Sequence, residues 1–363
     1  NPKPQTPNPK PQTPNPFKQK RCNLMQQEKG EKLNTKDFVY TCFGLLRRSS
    51  EIISEVAKGG ELQKEFKKGD DPVTQADLRS QYVVINGLRK RWPNLTIIGE
   101  ETEEKLIESP FDFDNFRNGE TQINELAFLD QEFEIKDLVV YVDPLDGTRS
   151  FVSGKYDFVT TLIGLAYKNK PLLGIVDHIW SEGLGTIAPL VYVGIQGHHS
   201  VYSVSLLEGN TYQLKKKYEA LPKVDPKQKL RVSYCADSPD PKGEFIFAKV
   251  FPDCEKVGCY GMGRMHVDVI NGAADAYVLG TSFSSKWDTL AGGCLVNILG
   301  GEDTNLLGKH YSYTGDNSDL GNIDGVFLAK DKEYHGQIIG KIAQVVQTEY
   351  AHASQQAHPS STH

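Results

Sequence analysis

Asp143-Pro144-Leu145-Asp146-Gly147-Thr148 follows directly on the apolar, β-leaning run Val139–Val142. Such a run is a buried strand, so Asp143 stands where that strand reaches an exposed end. Pro144 bends the chain there and brings Asp143 and Asp146 close together, with the Leu145 carbonyl free to point into the same space. Two carboxylates and a carbonyl make an all-oxygen donor set suited to a hard divalent cation such as Mg²⁺. Gly147 and Thr148 open a turn whose backbone N–H groups could hold a phosphate. The plainer reading is an Asp-rich turn closed by its own side-chain hydrogen bonds. On either reading, the fold must end a buried strand at this acidic turn.

Three other segments carry acids that could reach the same place. Pro72-Val73-Thr74-Gln75-Ala76-Asp77 leads into a helix with Thr74 as N-cap and Asp77 in the first turn, and T-x-x-D there also reads as a capping box. Gly99-Glu100-Glu101 closes a buried strand, where a solvated acidic loop is the alternative. Trp287-Asp288 starts a helix with Trp287, Leu290, Cys294 and Ile298 facing inward, and Asp288 also suits the helix dipole. Singly each is a weak signal; together they describe one acid cluster.

The periodicities around these segments predict helices over Asp37–Lys58, Thr74–Trp92, Met265–Ala274 and from Trp287 onward. Strands are predicted at Leu95–Gly99, Leu138–Val142, Thr160–Tyr167, Leu172–Val176, Leu230–Tyr234 and Ala276–Leu279, with a turn at Lys168–Pro171 and an irregular acidic stretch over Glu100–Lys136. The pattern suggests layered α+β and α/β sheets in two subdomains, not a bundle. Residues 1–24 are a proline-rich tail in which Asn1–Pro7 repeats unchanged as Asn8–Pro14, and such a segment cannot bury a core. The expected division is an α+β metal-binding subdomain over 25–215, an α/β substrate-side subdomain over 216–353, and a polar tail over 354–363. Pro222, Pro226 and the Lys215–Lys217 run are expected near the junction.

Composition narrows the function classes. With 38% hydrophobic and 24% charged residues the chain can bury a core, and no stretch approaches the ~20 apolar residues of a membrane helix. The polar, proline-rich start does not read as a signal peptide. A net charge of −6 disfavours nucleic-acid polymers but not small anions, since bound cations reverse the sign locally. The six cysteines form no C-x-x-C pair, so they read as thiols in a reducing compartment, with the cytoplasm as expected location and a monomer as expected state. Asp114–Glu125 approaches an EF-hand loop, but Phe116 stands where an oxygen ligand is needed. Gly258, Gly261 and Gly263 lack the third glycine and the βαβ frame of a dinucleotide site.

The ordered elements D-P-V-T-x-A-D, G-E-E, D-P-L-D-G-T and W-D resemble the fructose-1,6-bisphosphatase and inositol monophosphatase superfamily of lithium-sensitive phosphatases over about Asp37 to Tyr350. Asp143–Thr148, Val159–Tyr167 and Lys286–Thr289 are most similar to its 3′(2′),5′-bisphosphate nucleotidases, which convert 3′-phosphoadenosine 5′-phosphate to AMP. Inositol polyphosphate 1-phosphatases are the alternative, although they usually carry Ser at the position of Gly147.

The resemblance implies a layered αβαβα sandwich of the sugar-phosphatase type and two to three Mg²⁺ ions, with Li⁺ inhibitory. Glu100, Asp143 and the Leu145 carbonyl would hold one ion. Asp143, Asp146 and Asp288 would hold a second, and Asp77 with Glu100 a third. Thr148, bonded to Asp77, would orient a water, and Glu100 would share in the catalytic set. This suits phosphate monoester hydrolysis, which needs accelerations up to ~10²¹. The substrate would meet Gly147, Thr148, Asp288, Ser233 (Thr in the nucleotidases) and Gly261. Ala236 stands where those enzymes have His. Gly261-Met262-Gly263-Arg264-Met265 replaces their G-x-G-N-K turn, with Met265 at the lysine position and Arg264 either a contact for the second phosphate or only a solvated helix residue. These departures favour a dual range that includes inositol 1,4-bisphosphate. The partners implied are small phosphorylated molecules only.

Overall fold

The computed structural model describes residues 30–59, 65–66, 72–113, 123–183, 187–236, 238–280 and 284–350. The N-terminal repeat, residues 114–122 of the EF-hand-like stretch and the tail 354–363 lie outside them.

Among the described residues the chain forms seven α-helices and two main sheets. The helices are α1 (Thr35–Gly59), α2 (Gln75–Arg91), α3 (Thr148–Val152), α4 (Pro241–Val250), α5 (Met262–Ile270), α6 (Lys286–Ile298) and α7 (Lys332–Gln344). The first sheet comprises β1 (Thr96–Gly99), β2 (Leu138–Asp146), β3 (Thr160–Tyr167), β4 (Lys170–His178), β5 (Leu190–Ile195), β6 (Val201–Leu207) and β7 (Thr211–Tyr218), side by side in chain order. Only β1 and β2 run parallel; every later pair is antiparallel. The second sheet contains β8 (Arg231–Cys235), β9 (Glu255–Cys259), β10 (Ala276–Leu279), β11 (Glu302–Thr304) and β12 (Val326–Ala329), in the order β9-β8-β10-β12-β11.

Burial stacks these elements in five layers. Phe38, Cys42, Leu45, Ile52 and Leu88, on the apolar stripes of α1 and α2, cover one face of the seven-stranded sheet. α5 and α6 fill the space between the sheets, where Met265, Val269, Cys294 and Leu295 meet Leu162 and Val176 below and Tyr277 and Leu328 above. α4 and α7 close the far side through Ile246, Phe247 and Ile342 against Val278 and Phe327. Alternate residues of β10 thus feed two different cores, as a pleated strand between helix layers must.

Three departures matter for the site. Strand β2 does not stop at Val142 but runs to Asp146, with a register shift that leaves Pro144 and Leu145 outside the ladder with β3. Proline lacks an N–H to donate, so a bulge is where a strand tolerates it. Helix α5 begins at Met262, three residues earlier than expected, so Arg264 and Met265 lie inside a helix instead of a phosphate-binding turn. Lys215–Lys217 belong to β7, so a boundary after 215 falls inside a strand; residues 219–230, with Pro222 and Pro226, connect the sheets. The strands β5, β6 and β7 and the short Glu132–Glu134 strand paired with Lys32–Asn34 were not anticipated.

Candidate metal and phosphate site

The chain brings its acids together from four elements. Asp143 and Asp146 leave the bulged end of β2, and Asp288 comes from the first turn of α6. One carboxylate oxygen from each of these three lies within 4.8 Å of those of the other two, and all three residues are buried. Glu100 stands beside them because its N–H donates to the Val142 carbonyl (3.0 Å), which carries the β1–β2 pairing one residue further. Gln81 latches the following residue, accepting from the Glu101 N–H at 2.9 Å and donating to the Glu101 carbonyl at 2.6 Å.

The capping box expected at Asp77 is present, an unanticipated one forms at Ser285–Asp288, and both serve the site. Asp77 Oδ2 accepts from the Thr74 N–H (2.9 Å) and Thr74 Oγ1 (2.7 Å), closing the start of α2. That leaves Oδ1 to accept from Thr148 Oγ1 at 3.0 Å. Asp288 Oδ2 likewise accepts from the Ser285 N–H at 2.6 Å. A cap bond fixes the rotamer of each carboxylate and so aims its remaining oxygen.

Asp146 ties the two sheets together. It accepts from Thr160 Oγ1 (2.8 Å) and from the N–H groups of Met262 (3.0 Å) and Gly263 (2.7 Å) in the first turn of α5. The Leu145 N–H donates to Asp143 Oδ1 (3.0 Å), and the Leu145 carbonyl accepts from Thr148 Oγ1 (3.1 Å). Gly147 has φ +86°, and a Cβ there would lie 3.1 Å from the carbonyls of Phe158 and Tyr260. Gly147→Ala is therefore expected to cost roughly 1–2 kcal/mol in backbone strain alone. A melt of the variant that matches the parent would contradict this.

Burial decides the electrostatics. It pushes Asp143 and Asp288 well above the carboxylate range, and each is raised further by its neighbours, including Asp146 and Glu100. Asp146 is raised to about 6 by burial, against the bonds from Thr160, Gly263 and Met262. Asp77 is raised to about 7, again mainly by burial, opposed by its bond from Thr74.

Other expected contacts fall elsewhere. Ser233 is fully buried in β8, and its hydroxyl finds no hydrogen-bond partner. Met265 is only 1% exposed and sits in the core between the sheets, because the early start of α5 turns it inward. Arg264 donates to Asp268 Oδ1 (2.8 Å) and to the Asp157 carbonyl (2.5 Å), and it faces a separate cavity. Gly261 precedes α5 in an extended conformation, close against Asp146.

Thr160 and Gln81 were not anticipated. A threonine opening a strand and a helical glutamine carry no local sign of what they touch across the fold. Equally silent were Gly164, Gly174 and Gly194, which lie opposite one another across β3, β4 and β5. A Cβ on Gly164 would collide with Leu290 and one on Gly174 with the Ala291 carbonyl, so this bare row lets α6 settle on the sheet and sets the depth of Asp288.

The fold, the acid cluster and a family profile over residues 35–347 together place the chain among the small-molecule phosphatases. The chain belongs to the inositol monophosphatase family, whose profile matches residues 35–347. Among its curated relatives, 3′(2′),5′-bisphosphate nucleotidase 1 of Dictyostelium discoideum is 29% identical over 299 residues, which is 82% of this chain and 93% of that protein. Putative inositol monophosphatase 3 of Drosophila melanogaster is 26% identical, over 88% of this chain and 84% of that one. In the solved inositol monophosphatase II from Staphylococcus aureus MSSA476 the fold recurs with a TM-score of 0.57 at 18% identity, covering 89% of this chain and 98% of that one. Among the described residues no helix is long and apolar enough to cross a membrane.

Proposed function

We propose that this phosphatase is a Mg²⁺-dependent 3′(2′),5′-bisphosphate nucleotidase. It removes the 3′-phosphate of 3′-phosphoadenosine 5′-phosphate to leave AMP, and it also acts on the 1-phosphate of inositol 1,4-bisphosphate. The observation that carries the reading is the buried triad Asp143, Asp146 and Asp288, whose oxygens converge within 4.8 Å. Among the described residues, none of the three forms an ion pair with a Lys or Arg. Uncompensated buried carboxylates are costly, and a hard divalent cation is the partner their all-oxygen donor set fits.

Asp143, Asp146 and Asp288, with Glu100 and the Leu145 carbonyl, would hold the ions. A bound pair of cations supplies a water of lowered pKa and a counter-charge for the leaving oxygen. The remaining work belongs to the chain. Thr148 Oγ1, held between Asp77 Oδ1 and the Leu145 carbonyl, is placed to orient an attacking water. Asp77, buried and raised to about 7, is suited to take the proton that Thr148 passes on near neutral pH. Its bonds from Thr74 and Thr148 favour this proton-holding role over direct ligation of a third ion. The Gly147 and Thr148 N–H groups would meet the transferred phosphoryl group.

The nucleotide preference is supported by the relatives named bisphosphate nucleotidase, and the inositol activity by Arg264 and Met265 standing in for the nucleotidase turn. Cys42, Cys254, Cys259 and Cys294 are free thiols, which supports a cytoplasmic enzyme. Phosphate release should be measured side by side on 3′-phosphoadenosine 5′-phosphate, inositol 1,4-bisphosphate, inositol 1-phosphate and fructose 1,6-bisphosphate, with Mg²⁺ and with added millimolar Li⁺. The nucleotide should be fastest, the inositol bisphosphate measurable, and Li⁺ inhibitory. Strict inactivity on inositol 1,4-bisphosphate would remove the dual range, and inactivity on all four would remove the proposal.

A further inference from the structure

A cavity of about 470 Å³, within the usual range for small-molecule sites, opens between α5 and the β4–β7 end of the seven-stranded sheet. None of the acid-cluster residues lines it, whereas Lys215, Lys216 and Arg264 do. Consecutive residues of a strand ordinarily point to opposite faces, so two adjacent lysines in one cavity need a cause.

The cause is a bulge. Ser203 pairs with Lys216 and Val204 with Leu214, leaving Lys215 as an extra residue in β7. Before it, Tyr212 and Leu214 pack on the α1–α2 face; after it, Tyr218 packs on the α5–α6 face. The inserted residue inverts the alternation and turns both lysines toward the cavity.

The surroundings hold that arrangement. Tyr218 donates to Asn271 Oδ1 (2.8 Å), and Asn271 donates to Tyr192 Oη (2.9 Å), so the cavity wall is cross-braced. Lys216 Nζ sits 4.3 Å from the centre of the Tyr218 ring. The Arg264 charge is offset by Asp268, and no carboxylate lines the cavity, so Lys215 and Lys216 remain as its uncompensated charge.

We propose that this cavity binds the phosphate or sulfate group of a small molecule at a site separate from the acid cluster. Lys215 and Lys216 supply the charge, and the braced tyrosines form a wall for the group that carries the anion. The proposal does not depend on which substrate is hydrolysed.

It is tested on the full chain in chelator without divalent cation, where the acid cluster repels anions and no turnover occurs. The probe is inorganic phosphate. Limited acetylation of lysines, read by peptide mass spectrometry, should slow severalfold at Lys215 and Lys216 in millimolar phosphate against chloride of equal ionic strength, with Lys170 unchanged. Phosphate binding followed by ³¹P line broadening should disappear in Lys215→Glu/Lys216→Glu and persist in Lys215→Arg/Lys216→Arg. Equal labelling in the two salts, slowing that extends to Lys170, or binding that survives the double glutamate variant overturns the proposal. So does an arginine variant that folds but no longer binds.

Discussion

Asp143→Asn is expected to lower kcat by at least roughly a thousandfold while raising the melting temperature of the metal-free protein. Burial and, after it, the neighbouring Glu100, Asp146 and Asp288 charges hold its carboxyl well above the usual carboxylate range. In the proposed mechanism it would help hold both ions. Losing one metal site removes several kcal/mol of charge stabilisation in the transition state, and about 1.4 kcal/mol corresponds to each factor of ten in rate. The amide has almost the same volume and can still accept from the Leu145 N–H, so the bulge at Pro144 should persist. Metal-free protein gains because one source of repulsion in a buried cluster is gone. The checks are kcat at saturating Mg²⁺ and paired melts in chelator. Activity within tenfold of the parent, or a metal-free melt that falls sharply, would contradict the account.

The second large effect is a stability that falls as pH rises when no metal is bound. Asp77 is raised to about 7 and Asp146 to about 6, whereas an unfolded chain loses such protons near pH 4. Between these values the folded state binds more protons than the unfolded state, so stability declines with pH, by up to about 1.4 kcal/mol per pH unit for each titrating group. Below the unfolded pKa this penalty is absent. Buried His178, His266 and His335, each lowered to about 4, oppose this decline below about pH 6.5. Asp143 and Asp288, raised further still, add to it. The metal-free protein should therefore melt higher near pH 5 than near pH 8.

Divalent cations should oppose the trend, because binding must expel protons from the ligating carboxyls of Asp146, Asp143 and Asp288 and so tightens as pH rises. Asp177 offers an internal control. It is buried outside the cluster, accepts from Ser50 Oγ at 2.9 Å, and is also raised to about 7. Its share of the decline should remain when Mg²⁺ is added and should vanish in Asp177→Asn. Chelator melts that are flat from pH 5 to 8, or unchanged by Mg²⁺ at pH 8, would refute this picture.

Much of the site was legible because its parts are short and local. A buried strand ending in Asp-Pro-Leu-Asp-Gly-Thr announces an oxygen-rich turn, and the stripes of α1, α2 and α6 announce which faces go inward. The capping box at Thr74–Asp77 and the dipole-favoured Asp288 showed where helices start, but not that their carboxylates would also face the site. That depends on contacts across 71 residues, from Thr148 to Asp77, for which no local pattern exists.

The sequence by itself determined the layered class of fold, the helices that carry Asp77 and Asp288, and the oxygen character of the donor set, since these follow from periodicity and side-chain chemistry. Only the tertiary structure decided that α5 starts at Met262 and clamps Asp146, that Met265 packs into the core, and that a bare glycine row sets the depth of α6. It also decided that one extra residue in β7 turns Lys215 and Lys216 to the same face. The reason is physical. Propensity and alternation act over a few residues, while the depth of a helix on a sheet and the pairing of one strand with another are set by partners remote in the chain.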